Sequence, residues 1–162
     1  AISTIVGQNI GAGQQERADK AYHYALRMGA LFLLFFGLIL SRRFISQAMV
    51  TFFSTDERVI PLATDFLSLM AFWCWSNAFY NVTQGLFQGS GHTMITMIVD
   101  ASRIWIFRLL TLWVCANMLN MGVESVWYAV VISNGTSAAI LYGLYWTGIW
   151  KKSTIKIEKT EG

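Results

Sequence analysis

The chain alternates between long apolar stretches and short polar breaks, and this pattern predicts four membrane-spanning helices. The apolar stretches cover residues 22–43, 61–86, 94–119 and 123–150. About 20 predominantly apolar residues let a helix cross a bilayer, and each stretch reaches that length. The mostly apolar residues 1–6, which precede a glycine-rich turn at 7–13, resemble the end of a fifth helix. The sequence therefore predicts an all-α integral membrane fold.

The second predicted span changes from apolar to polar along its length. Its first half is the apolar run of residues 66–75, and its second half carries amide side chains. Four residues separated by four, four and three positions form one helical stripe: Trp73, Asn77, Asn81 and Gln84. Polar groups inside a membrane need partners or water. We therefore expect this helix to form one wall of a cavity or pathway.

The third predicted span carries three charged side chains, Asp100, Arg103 and Arg108, in an apolar surround. Asp100 and Arg103 are three positions apart, so they share a helical face and can pair. A charge at the centre of a span costs roughly 2.5–3.5 kcal/mol on insertion scales, so such residues usually face the bundle interior or a wet cavity. Two interpretations stay open: a structural ion pair near the interface, or a pair that gates a pathway or contacts substrate.

The last predicted span, residues 123–150, combines small residues with aromatic ones. Its serines, glycines and alanines between positions 133 and 143 predict close packing against another helix. The aromatic side chains near its end predict a belt at the membrane interface; they are Tyr142, Tyr145, Trp146 and Trp150. A cage for a cation is the alternative interpretation of this cluster.

Composition narrows the classes of function. Hydrophobic residues make up 55% of the chain and charged residues 13%, which is the balance of a membrane protein. A net charge of +3 could suit nucleic acid, but the basic residues lie at the edges of the spans and form no stripe with exposed aromatic residues. We therefore expect the lipid bilayer, and not nucleic acid, as a partner.

The reactive side chains are too scattered for catalysis or metal binding. Cys74 and Cys115 each lie alone in an apolar run, and His23 and His92 are far apart in sequence. A membrane enzyme would need a nucleophile beside its base, or clustered metal ligands. We therefore expect no enzymatic activity and no bound metal. His23 is expected to be a solvated residue at the interface, with a pH sensor as the alternative.

The basic residues predict the orientation in the membrane. With four spans, the first loop and the end of the chain share one side, and that side holds the majority of lysines and arginines. These are Arg17, Lys20, Arg27, Lys151, Lys152, Lys156 and Lys159, against Arg42, Arg43 and Arg58 on the other side. The positive-inside rule then places both ends in the cytoplasm. The expected location is the inner (plasma) membrane, with residues 153–162 as a cytoplasmic tail.

Several short motifs, in this order and spacing, resemble the multidrug and toxic-compound extrusion (MATE) transporters. They are Val6-Gly-Gln-Asn-Ile-Gly-Ala-Gly13 followed by Glu16-Arg-Ala18, Phe53-Ser-Thr-Asp-Glu-Arg-Val-Ile60, Gly85-Leu-Phe-Gln-Gly-Ser-Gly-His-Thr93, and Gly122-Val-Glu-Ser-Val-Trp127 with Trp150-Lys-Lys152 at the end. The resemblance covers essentially the whole chain. An alternative interpretation of the glycines at 7–13, a phosphate-binding loop, would need a preceding strand, and none is predicted.

The resemblance implies a twelve-helix transporter of two six-helix lobes, which exports drugs by rocking against a sodium or proton gradient. This chain would hold the end of the eighth helix and helices nine to twelve, and its partner would be a missing N-terminal lobe. A flippase of lipid-linked precursors in the same wider superfamily is the alternative, although it should present more cationic residues. A non-transporting structural membrane subunit is a further alternative.

Two departures from the family pattern affect what is expected of this lobe. Where one branch of the family has a carboxylate in the tenth helix, this chain has Asn77 and no acid, so sodium or protons are expected to bind mainly outside this segment, and no other cofactor is expected. The family often has Arg-x-Pro in the eleventh helix. Here the run is Arg108-Leu-Leu110, which predicts a straighter helix without a proline hinge.

A polar and aromatic set on the second and third spans is expected to line the substrate cavity. Its members are Trp73, Asn77, Asn81, Gln84, Asp100 and Arg103. Aromatic faces beside amides suit bulky organic cations through stacking and cation–π contact. In the alternative interpretation, the amides bond neighbouring helices and contact no substrate.

Overall fold

The computed structural model describes residues 1–151, which contain helices and connecting turns and no β-strand. The α-helices are α1 (Ile2–Gly11), α2 (Gln15–Leu40), α3 (Arg43–Phe53), α4 (Val59–Trp73), α5 (Ser76–Gly89), α6 (Thr93–Ser102), α7 (Leu109–Asn117) and α8 (Glu124–Trp146). A π-helical segment, Arg103–Arg108, joins α6 to α7, and a 3₁₀ turn, Ile149–Lys151, follows α8. The all-α prediction is therefore confirmed for these residues. The predicted tail, residues 153–162, lies outside them.

One helix in the described part is long and apolar enough to cross a membrane by itself. This is α2, and α4 with α5 would form a second such span if the bent pair counts as one. The stretch 93–117 is helical but contains the π segment and three charged side chains. The outer face of α2 exposes large apolar side chains, among them Leu31, Phe32 and Phe35, as expected of a surface in contact with lipid tails.

The prediction of one continuous helix over residues 61–86 is wrong, because the chain bends by 52° between α4 and α5. At the break, the Cys74 thiol donates a hydrogen bond of 3.2 Å to the carbonyl oxygen of Leu33 in α2. Gly37 of α2 makes this approach possible, since a Cβ atom there would meet Ala71 and the sulfur of Cys74. The bend turns the polar α5 into the bundle, where it packs against α1, α2 and α8.

The tightest helix contact joins α1 to α5 and is made by glycines. A Cβ atom added at Gly7 would lie 3.2 Å from the carbonyl oxygen of Gly89, and one at Gly89 would lie 3.0 Å from the Cβ of Val6. Gly7 is thus a packing residue inside α1; the predicted turn begins only after Gly11 and includes Gly13, which has a positive φ of 73°. By contrast, a Cβ atom at Gly135 or Gly143 of α8 would meet nothing within 4 Å.

The aromatic residues near the end of α8 divide between the protein core and its surface. Trp146 is 71% exposed, whereas Tyr145 and Trp150 are buried. Tyr145 stacks on Tyr22 of α2, with ring centroids 4.6 Å apart. The belt prediction therefore fails for Tyr145 and Trp150, because the side chains pack against α2 and each other. Gln15 also donates a 3.1 Å hydrogen bond to the backbone oxygen of Lys151, so α2 begins where α8 ends.

Candidate functional site

A polar network joins α5 to α6 around the carboxylate of Asp100. Tyr80 donates its hydroxyl to one oxygen of Asp100, and Gln84 donates from its amide nitrogen to the other at 2.7 Å. The guanidinium of Arg103 lies 3.4 Å from the same carboxylate. The predicted Asp100–Arg103 ion pair therefore forms. Three donors compensate the carboxylate, which is what a charge inside an apolar bundle requires.

Arg103 extends the network to α8. Its guanidinium carbon lies 4.6 Å from the centre of the Tyr80 ring, which allows a cation–π contact. Its Nη1 lies 3.5 Å from the side-chain oxygen of Asn134, at the outer limit of a hydrogen bond. The Nε of Arg103 is buried and has no hydrogen-bond partner. Arg103 is therefore held by one carboxylate and one aromatic face, and not all of the N–H donors of its guanidinium group are used.

The second arginine of the π segment reaches the same region of α8. The Nε of Arg108 lies 3.4 Å from the hydroxyl oxygen of Ser133, which is fully buried. Ser133 precedes Asn134, so both arginines approach adjacent residues of one helix. Asp100 is the single acidic side chain of this cluster, so Asp100, Arg103 and Arg108 together carry a formal charge of +1.

An aromatic cavity of about 310 Å³ lies between the α4–α5 bend and α8. It is lined by Trp73, Trp75, Ser76, Phe79, Gly135, Ala138, Ala139 and Tyr142. Trp73 and Trp75 are stacked with ring centroids 6.3 Å apart. Phe79 lies edge-on to Trp75 at 5.9 Å and to Tyr142 at 5.8 Å. Such a cavity presents both ring faces and ring edges to an apolar or aromatic ligand.

The cavity and the polar network use different residues of α5 and α8. Phe79 lines the cavity while Tyr80 joins the network, and on α8 Gly135 lines the cavity while Asn134 joins the network. Ser76 and Tyr80 on α5, and likewise Ala138 and Asn134 on α8, are four positions apart and share a helical face, so the two sites adjoin along these helices.

The structure places four of the six predicted site residues in the network or the cavity. Gln84, Asp100 and Arg103 meet in the network, and Trp73 lines the cavity. Asn81 is exposed, and its amide donates a 2.7 Å hydrogen bond to the backbone oxygen of Asn77 in its own helix. Asn77 is partly buried and belongs neither to the cavity lining nor to the contacts of the network. The four-residue stripe therefore does not act as one surface, because the bend at residues 74–75 separates Trp73 from the amides.

Sequence reasoning missed Tyr80, Trp75, Phe79, Tyr142, Ser133 and Asn134 as neighbours of these groups. One of them carried a local signal, since Tyr80 is four positions before Gln84 and so lies on the same helical face. Ser133 and Asn134 could not be found in this way. They are more than 20 positions from either arginine in sequence, and only the packing of α8 brings them there.

A second polar cluster connects α2 with α8 and α5. The Tyr145 hydroxyl donates to Asp19 at 2.6 Å and lies 2.9 Å from Nε2 of His23. The hydroxyls of Tyr22 and Thr83 lie 2.9 Å apart in the buried core. His23 is thus bonded to Tyr145 and is not simply a solvated residue. These contacts fix the start of α2 against the end of α8.

Comparison with known proteins identifies the family of this chain. The MatE family model matches residues 1–114. The probable multidrug resistance protein NorM of Thermotoga maritima is 21% identical over 155 residues, which cover 96% of this chain and 33% of that protein. The protein of the same name from Oceanobacillus iheyensis is 26% identical over 141 residues, covering 87% and 31%. Multidrug and toxin extrusion protein 1 of Homo sapiens is 25% identical over 153 residues, covering 94% and 26%.

The chain spans about a quarter to a third of the length of these relatives. The family model covers well over half of the chain, and the match confirms the resemblance that the motifs predict. The family also makes this chain part of a multi-pass membrane protein. The chain belongs to the MatE family.

Proposed function

We propose that this chain forms part of a secondary active exporter of amphipathic or cationic small molecules. The observation that carries the proposal is the aromatic cavity beside the α4–α5 bend, in a helical bundle that exposes apolar side chains outside. The names of the relatives, multidrug resistance protein and multidrug and toxin extrusion protein, support it. On this proposal the protein is a transporter and not an enzyme.

The aromatic cavity suits substrates of varied shape. Stacked and edge-on rings bind flat apolar groups and organic cations without needing a fixed set of hydrogen bonds. We propose that Trp73, Asn77, Asn81, Gln84, Asp100 and Arg103 contact substrate during transport, and that Trp75, Phe79 and Tyr142 join Trp73 in the aromatic part. Cavities that bind by shape and ring contact alone discriminate weakly, which fits export of many compounds.

The coupling ion, sodium or a proton, is proposed to bind mainly outside this segment. The carboxylate of Asp100 already accepts two hydrogen bonds and faces Arg103. An incoming cation would have to displace an arginine, which is unfavourable unless a second carboxylate assists. The relatives are three to four times as long as this chain, so we propose a preceding lobe that supplies the coupling group and rocks against this one.

The proposed location is the inner (plasma) membrane, with both ends of this segment in the cytoplasm. The adjacency of Gln15 and Lys151, and the basic residues near both, support a shared side. A cysteine introduced at the exposed Gln14 tests this orientation. It should react with a membrane-impermeant maleimide only after the cells are permeabilised, and labelling in intact cells would reverse the orientation.

The function is tested by efflux of a fluorescent organic cation from cells that lack other drug pumps. The cells express the complete transporter, meaning the full-length protein that carries this chain, and the sodium and proton gradients are collapsed in turn. Export that stops with one gradient would support secondary antiport and identify the coupling ion. No export above the empty vector, with the protein present in the membrane, would refute multidrug export.

A further inference from the structure

We propose that Arg103 and Arg108 form the recognition site for the carboxylate group of a ligand. The site lies on the α8-facing side of the π segment and is distinct from the aromatic cavity. The proposal rests on the proposed export function for its biological meaning, but the binding it predicts can be measured without transport.

The π-helical segment brings the two arginines to one face. Residues five apart in an α-helix diverge by about 140°, because each residue turns the chain by about 100°. In a π-helix the backbone hydrogen bonds join residues i and i+5, so residues five apart lie closer to one face than they do in an α-helix. Arg103 and Arg108 are the first and last residues of the segment. Both therefore reach α8, at Asn134 and Ser133.

The charges of this face are not balanced. Asp100 compensates Arg103, whereas the contact recorded for Arg108 is to the neutral hydroxyl of Ser133. One carboxylate therefore serves two guanidinium groups within the cluster. A guanidinium in an apolar surround costs free energy unless an anion accompanies it. An anionic ligand group would complete the cluster.

The hydrogen bonds of this face also leave donors available. The contacts to Asn134 and Ser133 are long, at 3.5 and 3.4 Å, so these guanidinium nitrogens are weakly held; the unpartnered Nε of Arg103 is buried and does not itself face a ligand. Both arginine side chains are partly exposed, so a ligand can reach them. Carboxylates match the planar fork of a guanidinium with two parallel, charge-assisted hydrogen bonds. A ligand carboxylate would replace the neutral oxygens of Ser133 and Asn134 while Arg103 keeps its contact with Asp100.

The test uses two probes that differ only at the carboxylate: rhodamine 110, which carries a free carboxyl group, and rhodamine 123, its methyl ester. Fluorescence anisotropy of each probe is measured with the purified complete transporter in detergent. Arg108→Gln should weaken binding of rhodamine 110 by about tenfold, as expected for one charge-assisted pair, and change binding of rhodamine 123 by less than about twofold. Arg108→Lys, which keeps the charge but not the fork, should lose an intermediate amount.

The control variant is Arg43→Gln in α3. The side chain of Arg43 is 73% exposed, and its Nη2 lies 3.4 Å from a carboxylate oxygen of Asp65. This variant should change binding of neither probe. Ser133→Ala, which removes the present acceptor of Arg108, should leave binding of rhodamine 110 unchanged or tighter and keeps the test valid if Arg108→Gln folds poorly. Equal losses for both probes in Arg108→Gln, or none, would overturn the proposal; equal losses would instead indicate packing or a lipid phosphate at this face.

Export of the same two probes separates this site from the proposed function. If the wild-type protein binds rhodamine 110 through Arg108 but exports neither probe, the carboxylate site stands and multidrug export fails. If it exports both probes and Arg108→Gln reduces both equally, multidrug export stands and the carboxylate site is refuted.

Discussion

Gln84 donates a hydrogen bond of 2.7 Å from its amide nitrogen to the carboxylate of Asp100, across the contact between α5 and α6. Together with the hydroxyl of Tyr80 and the guanidinium of Arg103, it surrounds a charge that would otherwise be poorly solvated. Hydrogen bonds to an ionised group are stronger than those between neutral groups. These contacts make the Asp100 cluster a structural link between α5 and α6. Stability and export measurements on single variants can separate that role from contact with substrate.

Tyr80→Phe should destabilise the protein by about 1.5–3 kcal/mol, because it removes one hydrogen bond to a charged group and leaves the ring in place. The measurement is the midpoint of thermal unfolding of the complete transporter in detergent. Tyr24→Phe is the matched control, since Tyr24 is 69% exposed, and it should shift the free energy of unfolding by less than about 0.5 kcal/mol. Equal shifts in the two variants would mean that the Tyr80–Asp100 bond does not stabilise the fold.

The buried contact between Tyr22 and Thr83 joins α2 to α5 and is suited to a double-mutant cycle. Thr83→Val should cost about 1–3 kcal/mol, because the Tyr22 hydroxyl loses its partner in the core. Adding Tyr22→Phe should recover a large part of that loss, since replacing both partners by apolar groups of similar shape is nearly neutral. Additive losses in the double variant would show that the two hydroxyls do not interact.

Gly89→Ala should destabilise the contact between α1 and α5 by about 1–3 kcal/mol, as overpacking does in a filled core. The added methyl group would meet the backbone of Ser3 and the Cβ of Val6. Gly143→Ala is the control on α8, where a Cβ atom meets nothing within 4 Å; it should be neutral, or stabilising by about 0.5–1 kcal/mol, because alanine favours the helix. Thermal unfolding measures both, and the reverse order of stability would contradict the packing described.

Trp75→Leu should reduce export of a flat aromatic cation by about fivefold, because it removes a stacking face of the aromatic cavity. Trp105→Leu is the matched control: Trp105 is 72% exposed on the π segment, away from the cavity lining. Efflux rates are compared at equal membrane abundance of the variants. Equal export by Trp75→Leu and the wild type would remove the cavity from the transport pathway.

Asn77→Leu tests whether the amide of Asn77 contacts substrate. Asn77 is partly buried at the start of α5, and leucine keeps the branched skeleton of the side chain while removing its polarity. Export should fall by about threefold or more, as for loss of one neutral hydrogen bond, with membrane abundance unchanged. Asn117→Leu, an exposed position at the end of α7, should leave export unchanged. A loss of abundance in step with export would instead indicate a packing role for Asn77.

Some features of this protein followed from the sequence alone because their causes are local. Long apolar stretches predicted helices, and all-α structure follows over residues 1–151. The three-residue spacing of Asp100 and Arg103 predicted their ion pair, since residues three apart share a helical face. The order and spacing of short motifs predicted the MatE family, which the family model confirms. None of these depends on which helix packs against which.

The tertiary structure decided the features that depend on contacts between distant parts of the chain. The bend at residues 74–75 and the close approach at Gly89 arise where α4 meets α2 and where α1 meets α5. The π segment lets both arginines reach Ser133 and Asn134 on α8, far away in sequence. A pattern of hydrophobic and polar residues records which positions are apolar, but the direction of each polar side chain depends on the helix that faces it.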